Sequence, residues 1–113
     1  MDPRLTSSLL VGALIRKAES EGGFAAVLAK GDPTSGSILV MLTERGGPPR
    51  IYERILKPDG GYGWDQAVLP PESGSSPLKE FIARRRRFDP DLWLVELDIP
   101  VMERFADELT AFG

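Results

Sequence analysis

The densest charge in the chain is a run of four consecutive arginines, Arg84, Arg85, Arg86 and Arg87. Guanidinium groups bind phosphates, and Tyr62 and Trp64, which lie in a glycine-rich segment, could stack on nucleic-acid bases. Together these residues form a candidate patch for nucleic acid or another polyanion. Consecutive residues turn by about 100° around an α-helix, however, so the four arginines would spread around a helix instead of lining one face. The competing interpretation is a solvated helix end with internal salt bridges.

Carboxylates follow the arginines at Asp89 and Asp91, with Glu96 and Asp98 further along. Carboxylate oxygens can hold a divalent cation or serve as a general acid and base. In an extended strand Asp91 and Glu96 project to opposite faces, so the sequence gives no reason for the carboxylates to converge. We expect Asp89, which precedes Pro90, to form an Asx turn. A carboxylate-based, metal-dependent enzyme is therefore the third and least favoured functional hypothesis.

Histidine and cysteine are absent from the sequence. Their absence excludes a Ser-His-Asp triad, a cysteine nucleophile, and zinc sites built from imidazole or thiolate. The glycine-rich segment 60–65 contains no Gly-Lys-Ser/Thr sequence and does not lead directly into a helix, so it matches no phosphate-loop pattern. We therefore expect a protein without a cofactor, a bound metal or catalytic residues, and not an enzyme.

The overall charge balance opposes a protein whose whole surface neutralises phosphates, because 17 acidic residues outnumber 14 basic ones. A local basic patch is compatible with this balance. The apolar segment 9–15 is far too short to span a bilayer and lacks the flanks of a signal peptide. Since there are no cysteines, a reducing compartment is the natural setting, and we expect a cytoplasmic protein with no membrane partner.

The elements that would position these residues follow from hydrophobic periodicity, which predicts the order α-β-β-β-α-β-α. The apolar runs Ile38 to Leu42 and Leu92 to Val95 indicate two strands that are buried on both faces and lie side by side. The first three strands are expected to form an antiparallel meander, and 57–77 a long loop. The prediction is an α+β fold, with three helices packed on a four-stranded, mostly antiparallel sheet, as a single domain over residues 1–113.

The first predicted helix is apolar over a wider arc than one core contact requires, because Leu9 and Ala13 lie off the stripe that contains Leu10 and Leu14. An unknown protein partner or a second copy of the chain would cover this excess. The first functional hypothesis is therefore a non-enzymatic protein interaction module, whose partner is another protein or, in a homodimer, a second copy of the chain. Binding of nucleic acid or a polyanion through Arg84 to Arg87 is the alternative.

One segment resembles a known family. Residues 87–97, Arg-Phe-Asp-Pro-Asp-Leu-Trp-Leu-Val-Glu-Leu, resemble the signature of the short bacterial proteins called domain of unknown function 1491. The Gly-Gly-Phe-Ala-Ala-Val sequence that enters the first strand and Lys-Gly-Asp-Pro at 30–33 are also similar to that family. The resemblance covers nearly the whole chain and implies membership, but it brings no established activity, cofactor or catalytic residue. Physically, residues 87–97 are typical of a folding junction, in which Asp-Pro turns the chain from a helix into the sheet core.

Overall fold

The computed structural model describes residues 6–68 and 77–109, and these contain three helices and five strands. In chain order the elements are α1 (Ser7–Ser20), β1 (Phe24–Ala29), β2 (Ile38–Glu44), β3 (Arg50–Leu56), β4 (Tyr62–Gln66), α2 (Pro77–Phe88), β5 (Trp93–Ile99) and α3 (Met102–Leu109). The predicted α+β class and the three helices are confirmed. The predicted four-stranded, mostly antiparallel sheet is close but not exact, because the sheet has five strands and one of its four pairings, β2 with β5, is parallel.

The strands lie in the order β1-β5-β2-β3-β4. β5 pairs antiparallel with β1 and parallel with β2, while β2 with β3 and β3 with β4 pair antiparallel. The predicted adjacency of the two apolar strands β2 and β5 is confirmed. The predicted meander of the first three strands is wrong, since β5 separates β1 from β2. Strands that are apolar on both faces bury the most apolar surface in central positions. The strand β1, with its small alanine side chains, therefore lies at the edge.

The strand β4 lies within the segment 57–77 that the sequence predicts as a loop, of which 69–76 lie outside the described residues. It follows a Pro-Asp-Gly turn closed by a hydrogen bond of 2.7 Å from the Lys57 N–H to the Gly61 carbonyl. Tyr62 and Trp64 then alternate with smaller or polar residues, as in a strand. The glycines conceal this strand in the sequence, because glycine is depleted in strands.

One face of the sheet, here called face A, is covered by α1 and α3. The α1 helix begins after Thr6, whose Oγ1 accepts a hydrogen bond from the Leu9 N–H at 3.4 Å. The α3 helix is capped from a distant strand, since Glu44 Oε1 accepts the Met102 N–H at 2.8 Å. The fully buried core residues of face A include Leu10, Leu14, Ala18, Ile38, Val40, Leu42, Val95, Leu97, Ile99, Phe105 and Leu109.

Lys17 joins the two helices of face A. Its Nζ donates to Glu21 Oε2 at 2.8 Å and to Glu108 Oε1 at 2.7 Å, and it lies 5.2 Å from the centroid of the Phe105 ring. Burial alone would lower the pKa of Lys17, but the hydrogen bonds and the charges of Glu108 and Glu21 outweigh it and raise the pKa. The ammonium group therefore stays charged and links α1 to α3.

The opposite face, face B, is covered by α2. Leu78, Phe81 and Ile82 of this helix pack on a smaller core formed by Leu39, Met41, Ile51, Leu92 and Leu94. No residue of α2 is fully buried, so this helix lies on the sheet with most of its surface in solvent. In the described part of the chain, none of the helices has the length and apolar character needed to cross a membrane.

Candidate functional site

The C-terminal end of α2 passes into β5 through a tight turn built on Asp89. The Asp89 N–H donates to the Arg85 carbonyl at 2.9 Å, and the Asp89 carbonyl accepts the Leu92 N–H at 3.2 Å. The Asp89 Oδ1 accepts the Asp91 N–H, also at 3.2 Å. This last bond is the Asx turn that the Asp-Pro sequence predicts, and the prediction is confirmed.

The loop between β1 and β2 packs directly on this turn. The Asp32 N–H donates to the Asp91 carbonyl at 3.0 Å, and the indole Nε1 of Trp93 donates to the Asp32 carbonyl at 2.8 Å. A Cβ atom on Gly31 would lie only 2.0 Å from the Asp91 carbonyl oxygen, so the two backbones touch at this point. Two of the segments that resemble the family, 30–33 and 87–97, therefore meet in space, and we call this contact the junction.

The Asp32 side chain stabilises the same loop. Its Oδ2 accepts hydrogen bonds from the Ser35 N–H, the Thr34 N–H and the Ser35 hydroxyl, at 2.8, 3.1 and 3.1 Å. These bonds favour the charged carboxylate and lower the pKa of Asp32. Like Asp89, Asp32 precedes a proline and forms a turn, and all of these hydrogen bonds lie within its own loop.

A cleft of about 510 Å³ opens beside the junction, between the end of β1 and the last turn of α2. Its charged lining residues are Lys30, Arg86, Arg87 and Asp89, and its apolar ones are Ala29, Ala83, Pro90 and Leu92. Within residues 6–68 and 77–109, no salt bridge neutralises any of its three cations. We call this feature the cationic cleft.

The structure divides the arginines of the predicted patch among three environments. Arg86 and Arg87 line the cationic cleft, whereas Arg84 is exposed outside it. Arg85 points to the sheet, where its Nη1 lies 2.5 Å from Glu53 Oε1, and both side chains are about a quarter exposed. The arginine run is therefore partly structural, and its members are not equivalent.

The aromatic members of the patch lie on the other side of the sheet from α2. Trp64 packs against the core of face A, and Tyr62, two residues away on the same strand, projects to the same face. The guanidinium carbon of Arg54 lies 4.0 Å from the centroid of the Tyr62 ring. The structure thus brings together Arg86, Arg87 and Asp89 and separates them from both aromatic residues.

The remaining carboxylates do not assemble into a site. Asp91 does not line the cleft, and its carbonyl group is engaged in the junction. In the two described segments, no group of three or more carboxylates is arranged so that it could hold a metal ion. Lys30 is the cleft residue that sequence reasoning missed, and its one signal was its position in the Lys-Gly-Asp-Pro segment.

The Arg85–Glu53 pair gives a first testable prediction. Arg85→Gln should lower the free energy of unfolding by about 1 to 2 kcal/mol, because it leaves the partly buried Glu53 without its cation. Arg84→Gln is the matched control, and as an exposed change it should shift stability by less than about 0.5 kcal/mol. Urea denaturation of both variants measures the difference. Equal stabilities would show that Arg85 contributes no more than a solvated arginine.

The strand β1 is the second notable surface. Its six residues, Phe-Ala-Ala-Val-Leu-Ala, carry no charge, and it forms one edge of the sheet. Phe24 is 76% exposed, Val27 44% and Leu28 48%, while Leu9 on the adjacent α1 is 58% exposed. Edge strands are usually protected by charged residues or proline, and β1 has neither. The excess apolar surface expected on the first helix is thus present at Leu9 and extends further on β1.

A model of the family described as protein of unknown function (DUF1491) matches residues 5–107. The crystal structure of a DUF1491 family protein from Caulobacter crescentus is 37% identical, with a TM-score of 0.73 over 89% of this chain and 94% of that chain. The NMR structure of a DUF1491 family protein from the same organism is 34% identical, with a TM-score of 0.76 over 92% and 94%.

A further similar structure is the solution structure of a protein from A. tumefaciens. It is 30% identical, with a TM-score of 0.73, over 90% of this chain and 92% of that chain. No curated protein matches the sequence. The family match spans both segments of the junction and confirms the resemblance seen in the sequence. The chain belongs to the DUF1491 family.

Proposed function

We propose that the protein is a non-enzymatic interaction module that self-associates through the free edge of β1. The observation that carries the proposal is an edge strand with no charged residue and three exposed apolar side chains. Such an edge presents unpaired backbone N–H and C=O groups to a further strand. Burying Phe24 and Val27 against a partner also removes apolar surface from water, which favours association.

The favoured occupant of this edge is a second copy of the chain. Two β1 strands that pair antiparallel about a two-fold axis form a closed dimer, because each strand then fills the edge of the other. An uncharged strand meets no like-charge repulsion from an identical strand. The register shift between Val27 and Ala29 marks a bulge, which interrupts regular pairing, so Phe24 to Val27 is the part that pairs. Leu9 on α1 extends the apolar contact at the side.

The setting that we propose for this module is the reducing cytoplasm of a bacterium, where the chain acts as one domain. The sequence has no cysteine, which suits that compartment. The similar solved proteins come from C. crescentus and A. tumefaciens.

Charge placed on the β1 edge tests the proposal. The double variant Phe24→Lys, Val27→Lys should weaken dimerisation at least about a hundredfold, since two lysines in each copy would be buried or brought together. Both positions are exposed in the chain, so the fold should tolerate the change. Sedimentation velocity from about 1 µM to about 1 mM covers the range of weak dimers.

The matched control is Leu56→Lys, Val68→Lys, which adds the same charge at residues that are 61% and 91% exposed. These residues lie near the opposite edge of the sheet, and the control should dimerise like the wild type. A wild type that stays monomeric throughout the range would refute self-association. Equal weakening by both double variants would show that net charge, not β1, governs it.

A further inference from the structure

We propose that the cationic cleft binds a phosphoryl group. The site combines Lys30, which follows β1, with Arg86 and Arg87 from the last turn of α2. Its lining includes Ala29 at the end of β1 but none of the residues 24–27 that are proposed to pair, and the inference does not depend on self-association. It narrows the sequence hypothesis of polyanion binding to two of the four arginines and adds a lysine that is distant in the chain.

The charges of the cleft favour an anion. The cleft is lined by three cations and one carboxylate, that of Asp89. The Oδ1 of this carboxylate already accepts a hydrogen bond from the Asp91 N–H. The C-terminal end of α2 adds about half a negative charge through the helix dipole, which the three cations exceed. A phosphoryl group with nearly two negative charges suits this excess, in a chain whose net charge is −3.

The donors of the cleft fit the shape of a phosphoryl group. Guanidinium groups donate paired hydrogen bonds to two oxygens of one phosphate, and a lysine ammonium supplies a compact third charge. The cleft volume of about 510 Å³ lies within the usual range of small-molecule sites. Its apolar lining includes Ala29, Ala83 and Pro90, which can contact an attached organic group.

The junction holds the backbone on both sides of the cleft. Lys30 directly precedes the Gly31–Asp32 segment, which is fixed against Asp91 by a hydrogen bond and by backbone contact. On the other side the Asp89 N–H is bound to the Arg85 carbonyl, which fixes the turn that follows Arg87. Two cationic side chains thus extend from backbone that is already ordered, which reduces the entropy lost when an anion binds.

The phosphoryl group could belong to a phosphorylated small molecule or to a nucleic-acid backbone, and the probes distinguish these sources. Inorganic pyrophosphate represents the first, and a single-stranded DNA of about 12 nucleotides, within the span of known single-strand sites, the second. Titration calorimetry at low salt measures both. Binding of pyrophosphate alone points to a small molecule, whereas tighter binding of the oligonucleotide points to nucleic acid.

Paired arginine variants locate the site. Arg86→Gln, Arg87→Gln should weaken binding of the bound probe about a hundredfold, since each lost charge-assisted contact costs about tenfold. The control Arg16→Gln, Arg84→Gln removes the same charge from exposed arginines outside the cleft and should change affinity less than about threefold. Thermal unfolding checks that both variants are folded. No binding of either probe by the wild type, or equal loss in both variants, would overturn the proposal.

Discussion

Replacing Gly31 by alanine is expected to lower the free energy of unfolding by about 3 kcal/mol, at the upper end of overpacking effects. The added Cβ would lie 2.0 Å from the Asp91 carbonyl oxygen and 2.7 Å from the Leu92 carbonyl carbon. Both are backbone atoms, so the clash cannot be relieved by rotating a side chain. Relief requires the loop to move off the junction, which breaks the hydrogen bond from the Asp32 N–H to Asp91 and the one from Trp93 to the Asp32 carbonyl.

Urea denaturation followed by tryptophan fluorescence measures this loss, because Trp93 is part of the junction. The control is Gly12→Ala within α1, where the added Cβ meets only the flexible Nη1 end of Arg16, at 3.3 Å. Alanine favours a helix over glycine by about 1 kcal/mol, so this control should be as stable as the wild type or more so. A Gly31→Ala variant within about 1 kcal/mol of the wild type would show that the junction tolerates displacement.

Replacing Phe105 by alanine is expected to lower the free energy of unfolding by about 3 to 5 kcal/mol. Phe105 has no exposed surface, and among the described residues it is the largest side chain that is fully buried. It anchors the eight-residue α3 to face A, and its ring also contacts the Lys17 ammonium. The truncation therefore leaves a cavity and weakens the link between α1 and α3.

The control for Phe105 is Val101→Ala, just before α3, where the side chain is 41% exposed. We expect that control to lose less than about 1 kcal/mol, because little buried surface is removed. Thermal and urea unfolding of the two variants should agree on the ranking. A Phe105→Ala variant that is no less stable than the control would mean that α3 contributes little to the core of face A.

The sequence predicts those parts of the fold that depend on local pattern. The three helices follow from hydrophobic periodicity and end signals, and the two uninterrupted apolar strands are correctly expected to lie together in the sheet. The pairing of β1 could not be predicted from local pattern. A turn-rich loop between two strands suggests a hairpin whether or not a later strand enters between them. Only the competition of β2 and β5 for central positions decides the order.

The strand β4 and the cap of α3 illustrate two further limits. In β4 the glycine between Tyr62 and Trp64 weakens the strand pattern, although the preceding Pro-Asp-Gly turn was a usable signal. The N–H of Met102 is bound by Glu44 from the end of β2, which is 58 residues away in the sequence. A cap of this kind has no local signal, since it exists only once the sheet has formed.

Part of the candidate site could be predicted from the sequence, namely the part that depends on local pattern. The turn role of Asp89 follows from local sequence and agrees with the structure. The grouping of Lys30 with Arg87 could not be predicted, because it depends on β1 pairing with β5 beside the end of α2. Likewise, the exposure of Phe24 follows from the edge position of its strand.

Amide hydrogen exchange in β1 at low and high protein concentration tests the central claim, self-association at this edge, most directly. If a second copy pairs with β1, amides within residues 24–27 become slower to exchange as the concentration rises. Amides of β4, at the opposite edge, keep the same exchange rates and serve as the internal control. Exchange in β1 that is identical at both concentrations would contradict the claim, as would protection that increases equally at both edges.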